Sequence, residues 1–392
     1  MAYDLLTDEQ REVRELIRSV VRDSVAPRAA EIDESAEFPW DVVKAFREHE
    51  LFGLSHAEQY GGSGIGALMM LVAIEEVSKA CATSGLILAV QELGSIPIEI
   101  AGSDELKDRY LPRLVTGETL AAYALTEPGS GSDSAAMLTH AEQNGEAYLL
   151  SGGKRFITNA GVAGAYVVFA KTDPEAGHKG ITAFVVEPEF PGFEVGRIEP
   201  KMGIKGSTTG EIFFNECQVP AENLLGEIGG GFTVAMRVLD RSRPGVAAQA
   251  LGIAQGAIDY AVDYAKLRET MGKPIGQHQL IAAKLADMET RTEAARLLLY
   301  KVGQMIDAGV DGPELSKASA QAKLFCSDTA MDVTTDAVQV LGGYGYVREY
   351  PVERMMRDAK ITQIYEGSNE VQRLVIAREM LRESRSNLLA GV

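Results

Sequence analysis

Apolar and polar positions along the chain change their period twice. Up to about residue 118 the apolar positions recur at helical spacing. Thr7-Asp8-Glu9-Gln10 fits a capping box and opens a helix running to Val25, ahead of Pro27. Pro39 starts the next helix, with Gly53 near its end, and Tyr60-Gly61-Gly62-Ser63-Gly64-Ile65-Gly66 reads as a flexible connector. Apolar stretches from Ala67 to Ala82 and from Leu86 to Ile100 predict two buried helices, the second interrupted by Pro97. Ser103-Asp104-Glu105 caps a short amphipathic helix ending near Leu114. From about Leu120 to Val219 the texture becomes short β-rich runs: Tyr148–Leu150, Tyr166–Ala170, Ile181–Val186, Phe193–Val195 and Ile212–Phe214. Runs about ten residues apart favour an antiparallel sheet or barrel over βαβ units. After Gly229-Gly230-Gly231 long helices return. From Ile281, positions Leu285, Met288, Thr292, Ala295, Leu299, Val302 and Ile306 step by four and three, the seam of a helix in an antiparallel bundle. Further helices fit Glu314–Leu341, Pro351–Ala359 and Asn369–Glu383. The expected order is a helical domain over 1–119, a β domain over 120–228 and a helical bundle over 229–392.

Length and charge narrow the function classes. A chain of 392 residues is enough for two or three domains. Its 56 acidic against 38 basic residues give a net charge of −18, which argues against nucleic acid or anionic lipid as a partner. No apolar run approaches the length of a membrane helix; the longest pieces resemble Leu86–Val90. Met1-Ala2-Tyr3-Asp4 meets acidic residues at once and resembles neither a signal nor a transit peptide, so the expected setting is soluble and cytoplasmic. Cys81, Cys217 and Cys326 lie far apart, and His49, His56, His140, His178 and His278 never reach H-E-x-x-H spacing, so neither a metal site nor a disulfide framework is expected. The sequence has no G-x-G-x-x-G, G-x-x-x-x-G-K-[ST] or G-x-S-x-G. Ser151-Gly152-Gly153-Lys154 fits S-x-x-K but lacks the motifs that accompany it in enzymes.

Four segments carry candidate chemistry. Tyr123-Ala124-Leu125-Thr126-Glu127-Pro128-Gly129-Ser130-Gly131-Ser132-Asp133 runs from a strand into a loop that can aim backbone N–H groups at a phosphate; a plain hairpin is the alternative. In Gln363-Ile364-Tyr365-Glu366-Gly367-Ser368-Asn369-Glu370, Glu366 sits where partial burial would raise its pKa enough for a general base; a helix N-terminal glutamate is the bland alternative. Gln339-Val340-Leu341-Gly342-Gly343 is either a helix C-cap or a close backbone approach. Arg268-Glu269-Thr270-Met271-Gly272-Lys273-Pro274 is a basic turn between long helices.

These segments, in this order, together with Lys154-Arg155-Phe156-Ile157-Thr158-Asn159 and Tyr350-Pro351-Val352-Glu353-Arg354-Met355-Met356-Arg357-Asp358-Ala359-Lys360, resemble the acyl-CoA dehydrogenase family from about Leu5 to Met380. The resemblance implies an α+β multidomain fold with an N-terminal helical domain, an antiparallel β-barrel-like middle domain and a C-terminal four-helix bundle. It implies FAD between the last two, completed by a second subunit of a homotetramer. The isoalloxazine would lie against Tyr123, Leu125 and Thr126, with Phe156, Ile157 and Thr158 on another face and Gly131 and Ser132 at the pyrophosphate. From the neighbouring subunit would come Arg268, Thr270, Met271, His278, Gln279, Gln339, Val340, Gly342 and Gly343, while Ser368, Asn369 and Glu370 would meet the adenosine end. Acyl-CoA would touch Ser132, Asp240, Arg243, Tyr365 and Gly367. Glu366 matches the base that removes the substrate α-proton while a β-hydride goes to flavin N5.

Some relatives carry the base on an earlier helix, but Leu239–Gly245 contains no glutamate. Met271 stands at a usually aromatic position, Phe156 where some members have tryptophan, and Ser368 for a common threonine. The segment Ser84–Ile96 corresponds to the floor of the acyl pocket. No Lys or Arg occurs between Lys79 and Lys107, which disfavours a glutaryl-type substrate. Gly85 and Ala89 are expected to leave room there and Leu86 and Leu93 to refill it, pointing to a short- to medium-chain, straight or branched acyl-CoA. Electrons would pass to an electron-transferring flavoprotein. The alternatives are an oxygen-using acyl-CoA oxidase and a non-catalytic acyl-CoA binder.

Overall fold

The structure, a computed structural model, describes residues 5–382. Helices α1 (Asp8–Val20), α2 (Ala29–Ser35), α3 (Trp40–Glu48), α4 (Ala67–Ala80), α5 (Ala82–Ala101) and α6 (Asp104–Val115) form the first layer. The capping box is present: Gln10 N–H donates to Thr7 Oγ1 at 3.2 Å and Thr7 N–H to Gln10 Oε1 at 3.0 Å. The chain does not leave the helix ahead of Pro27. A π-turn at Val21–Val25 and a 3-10 turn at Ala26–Arg28 carry it into α2, with Pro27 early in the turn, where its missing N–H costs nothing.

Three further expectations are corrected here. The helix α5 runs unbroken through Pro97 to Ala101, because burial on nearly every face outweighs the proline penalty of about 3 kcal/mol. That helix is also long and apolar enough to cross a membrane by composition, contrary to the reading of short apolar pieces; it is instead the core helix of its domain. The segment Tyr60–Gly66 is not a loose connector. Its N–H groups bond back to the preceding turn (Ser63 to Gly53 O at 2.9 Å, Gly64 to His56 O at 2.9 Å), and a Cβ on Gly62 would meet His56 O at 2.1 Å.

The middle layer is one sheet: β1 (Ala121–Ala124), β2 (His140–Asn144), β3 (Ala147–Thr158), β4 (Ala165–Lys171), β5 (Ile181–Val186), β6 (Phe193–Ile198), β7 (Thr209–Pro220) and β8 (Leu224–Leu225). The order is β6-β7-β3-β2-β4-β5-β8. It is antiparallel except that β1 lies parallel to β4 and β2 meets β4 at one parallel pair, a departure from the purely antiparallel expectation. The strands β3 and β7 are much longer than their apolar runs because Ser151-Gly152-Gly153-Lys154 and Asn215-Glu216 interrupt the alternation at bulges. The continuously apolar β4 and β5 are buried on both faces, one against Ile98, Leu106 and Leu111, the other against Tyr148 and Phe214.

The third layer holds α7 (Gly231–Leu267), α8 (Gln279–Asp307), α9 (Pro313–Leu341), α10 (Val352–Thr362) and α11 (Asn369–Arg382). The expected α8 seam is buried from Met288 to Val302 and half-buried at its ends. In α7, Pro244 frees the carbonyl of Asp240, four residues back, and the Ser319 hydroxyl donates to it at 2.7 Å. All three layers meet at one staple. Arg357 donates to Asp33 at 2.6 and 2.9 Å and to Met202 O at 3.0 Å, while Asp358 accepts Ile204 N–H at 2.5 Å.

A second clamp fixes the Ser55–Gly66 segment to α5. Buried His56 lies 3.2 Å from both Glu92 and Glu99, with Ser95 Oγ at 3.0 Å. Burial opposes protonation, but Glu92 and Glu99 prevail and push the imidazole up to about 10. A raised folded-state pKa stabilises fully below the free value of 6.5, and the contribution fades as pH rises toward 10. His56→Gln should therefore cost about 3 kcal/mol near pH 6 and distinctly less at pH 10, measured by urea midpoint; a pH-independent difference would mean a neutral clamp.

Candidate active site

A cavity of about 220 Å³ opens where the three layers meet. Its walls come from α5 (Leu86, Val90, Leu93), β1 and the following loop (Tyr123, Leu125, Thr126, Gly131, Ser132), and the end of β3 (Phe156, Ile157, Thr158). The remainder comes from α7 (Met236, Leu239, Arg243) and the turn before α11 (Tyr365, Glu366, Gly367). Many residues singled out from the sequence thus converge on one cleft.

The glycine loop is pinned from below. Glu127 and Ser130 exchange backbone hydrogen bonds at 3.1 Å, and Arg155 N–H donates to Thr126 O at 2.9 Å. The Glu127 carboxylate accepts from Leu138 N–H (2.6 Å), Thr139 N–H (3.1 Å) and buried Lys154 Nζ (2.8 Å). Burial outweighs this partner and lowers the Lys154 amine to about 8, while Lys154 and the Leu138 N–H hold Glu127 below its ordinary value. Above this support the loop is open: a Cβ on Gly129 or Gly131 would touch nothing within 4 Å. Beside it, Phe156 adopts φ +59° and presents an exposed ring, with the Arg155 guanidinium 5.1 Å from its centroid. The Lys154–Glu127 pair was missed by sequence reasoning; a lysine flanked by Leu150 and Ile157 in a strand was the available signal.

Glu366 sits at the other wall on a left-handed turn, φ +50°, followed by Gly367 at φ +88°. Ser242 Oγ donates to Glu366 Oε2 at 2.8 Å. The turn's carbonyls are tied by three helices: Arg243 Nε to Glu366 O (3.4 Å), Gln372 Nε2 to Gly367 O (2.8 Å) and Lys323 Nζ to Gly367 O (2.9 Å). Burial raises the Glu366 pKa; Ser242, Arg243 and Lys323 oppose it without cancelling it. The residue keeps one face on the cleft, so a ligand that covered it would bury it further and enlarge that rise. Among the described residues no acceptor takes the Glu366 N–H, leaving it available to a ligand oxygen. Asp240 stands behind the wall, paired with Arg243 at 2.5 Å. Ser242, also missed, is a hydroxyl one residue before Arg243 in the Leu239–Arg243 string.

The other predicted residues lie elsewhere. Arg268, Thr270, Val340, Gly342 and Gly343 line a separate groove with Tyr264 and Tyr344, where the Arg268 guanidinium lies 5.4 Å from the Tyr344 centroid. His278 Nε2 is 3.3 Å from Thr270 Oγ1. Met271 is 94% exposed at φ +51°, and Gln279 and Gln339 are exposed. Beyond the Glu366 turn, Ser368 is half-buried and Glu370 exposed. Asn369 is buried, its amide donating to Ser327 and Asp328.

The room expected at Gly85 and Ala89 is absent from the acyl end. A Cβ on Gly85 would overlap Ser78 Oγ at 1.9 Å, and Ala89 is the neighbour a Cβ on Gly245 would meet at 3.6 Å. Both small residues serve helix packing, while Leu86 and Leu93 face the cavity as expected. Removing one partner of the buried pair below the loop should be costly: Lys154→Met is expected to lose about 3–5 kcal/mol in urea unfolding, with Lys154→Met/Glu127→Gln recovering most of it. Equal losses in the two variants would deny the pair its electrostatic role.

Residues 7–118, 122–217 and 229–381 match, in turn, the N-terminal, middle and C-terminal domains of acyl-CoA dehydrogenase. An acyl-CoA dehydrogenase of Clostridium acetobutylicum named as short-chain specific is 47% identical over 96% of this chain and 99% of its own. Butyryl-CoA dehydrogenase of Megasphaera elsdenii superposes with a TM-score of 0.94 at 44% identity, covering 97% of this chain and all of that one. A chain in a solved structure described as the electron transferring flavoprotein of Acidaminococcus fermentans superposes with a TM-score of 0.95 at 44% identity, covering 98% of this chain and 100% of that chain.

Proposed function

This chain belongs to the acyl-CoA dehydrogenase family, and from that premise we propose that it oxidises a short- to medium-chain acyl-CoA, straight or branched, with Glu366 as base. The observation carrying the reading is a hydrogen-bonded carboxylate on a strained turn, facing an apolar cavity across from an open glycine loop. The cleft suits FAD. The Tyr123 hydroxyl is buried there without a partner among the described residues, the loop glycines leave room for a phosphate-bearing group, and Phe156 offers an exposed ring face. Leu125, Thr126, Ser132, Phe156 and Thr158 would hold the cofactor, whose flavin supplies the hydride acceptor.

The chain's own groups then do the following. Glu366 takes the α-proton onto its carboxylate, which Ser242 orients. The Glu366 N–H is a free donor for the thioester oxygen as negative charge develops on it. The apolar wall of Leu86, Val90, Leu93, Met236 and Leu239 excludes water and raises the base further. At the cavity, Leu93 and Leu239 pack with Ile96, Val238, Tyr123 and Met236, an apolar cluster that supports the reading of a limited acyl length. We further propose a homotetramer in which the groove around Arg268 and Gly343 completes a neighbour's cofactor site. The acceptor proposed is an electron-transferring flavoprotein, a reading supported by the similarity to the Acidaminococcus fermentans chain.

Since Glu366 must be ionised to act and burial raises its pKa, anaerobic flavin bleaching should gain rate with pH through a limb above the ordinary 4.5. Glu366→Gln should retain FAD yet lose at least about 10³-fold in bleaching; retained reduction removes Glu366 as base. Leu93→Ala should move the best kcat/KM toward longer acyl-CoAs, by about tenfold relative to C4. An unchanged profile would place chain-length selection elsewhere.

A further inference from the structure

We propose that Lys323, on α9, is a positioning residue for the Glu366 base: its ammonium, seated on the Gly367 carbonyl, adds to Arg243 a second positive charge that helps keep the neighbouring carboxylate ionised before substrate arrives. The inference rests on Glu366 being the base.

Lys323 is fully buried, and its Nζ donates to Gly367 O and to Asn369 Oδ1, each at 2.9 Å. The Gly367 carbonyl does not depend on it, since it also accepts from Gln372 Nε2 at 2.8 Å; the single Ser327 hydroxyl proton, 3.1 Å from Asn369 Oδ1, lies closer to Lys323 O at 2.7 Å. No carboxylate of the described residues lies within 4 Å of the ammonium, so its burial is not offset by an ion pair. A methionine of similar length would remove the desolvation cost and leave Gly367 O with Gln372, at the loss of one donor to Asn369 Oδ1 that a glutamine can replace. What such a side chain would lack is charge beside the base.

The surrounding charges support this assignment. Burial pulls the Lys323 amine down to about 7, and Glu366 is the foremost group favouring its charged form, ahead of Asp328 and Glu370, while Arg243 opposes it. Asp328 is already engaged by Gln363, Asn369 and Arg373, and Glu370 faces solvent. Arg243, the other cation at the base, is paired with Asp240, which Ser316 also holds. Its charge acts on Glu366 more strongly than that of Lys323 but is shared with Asp240, whereas Lys323 shares its charge with no carboxylate within 4 Å among the described residues. Tyr123 and Tyr365 also face Glu366, and both are held neutral by burial.

The test compares Lys323→Met and Lys323→Gln with wild-type and Glu366→Gln holoenzymes. Flavin bleaching by saturating butyryl-CoA is followed anaerobically from about pH 5.5 to 9, with thermal midpoints taken alongside. Losing the charge should shift the acid limb up by about one pH unit in both variants, a loss of about tenfold below the limb that vanishes at the alkaline plateau. Butyryl-CoA affinity and thermal midpoint should stay near wild type. An unmoved limb overturns the proposal, as does a loss equal at every pH. A Lys323→Gln that behaves as wild type would show that a hydrogen bond suffices and overturn the role of charge. Failure of both variants to fold would overturn it as well, because the ammonium would then serve the fold. Failure of the premise looks different, since Glu366→Gln would then still bleach.

Discussion

A glutamate carboxylate buried at a mostly apolar cleft is the constraint on which this structure turns. Burial raises the Glu366 pKa, and as the proposed base it has to stay ionised to take a proton. The protein answers with a hydroxyl from Ser242, a paired guanidinium from Arg243 and an unpaired ammonium from Lys323. These arrive from α7 and α9, while Gln372 of α11 ties the same turn from the far side. A left-handed glutamate costs of order 1 kcal/mol and persists only when its surroundings over-determine it. Three helices converging on two carbonyls do so.

Such convergence demands that the helices approach closely, and small residues allow it. A Cβ on Gly252 or Gly256 of α7 would strike the backbone of Glu75 or Lys79 on α4 at 2.2 Å. Gly85 of α5 lies as tightly on Ser78. The opposite wall of the cleft is held by different means. There the Lys154–Glu127 pair lies under a loop whose upper surface is bare glycine, so the loop is stiff below and open above. The Asp33–Arg357 and Ile204–Asp358 bonds then join that wall to the helices carrying the base. Preorganisation is thus divided between charge at the base and buried ion pairing at the loop.

Much of this was legible in sequence because it follows from periodicity. The α8 seam, the apolar β4 and β5 and the cap at Thr7 are local signals, and the structure honours each. Pro97 misled because tertiary burial outweighs its local penalty: α5 passes through it, much as α7 passes through Pro244 with a serine from another helix repairing the lost bond. Glycine at residue 85 misled for a related reason. A missing side chain marks closeness, and sequence cannot say whether the close neighbour is a ligand or a helix. The pairings of Ser242, Lys154 and Lys323 could not be read locally because their partners lie 124, 27 and 44 residues away.

The helix α5 is where fold and selectivity are the same object. One face carries Glu92, Ser95 and Glu99 to His56, and another carries Leu86, Val90 and Leu93 to the cavity. The clamp therefore fixes the rotation of the helix, and with it the depth at which Leu93 meets Leu239 and Met236. Discrimination by one methylene is worth only about 1–3 kcal/mol, so a wall free to rotate would surrender it. A buried, charged clamp on the polar face would let the apolar face act as the ruler that the proposed chain-length selection requires.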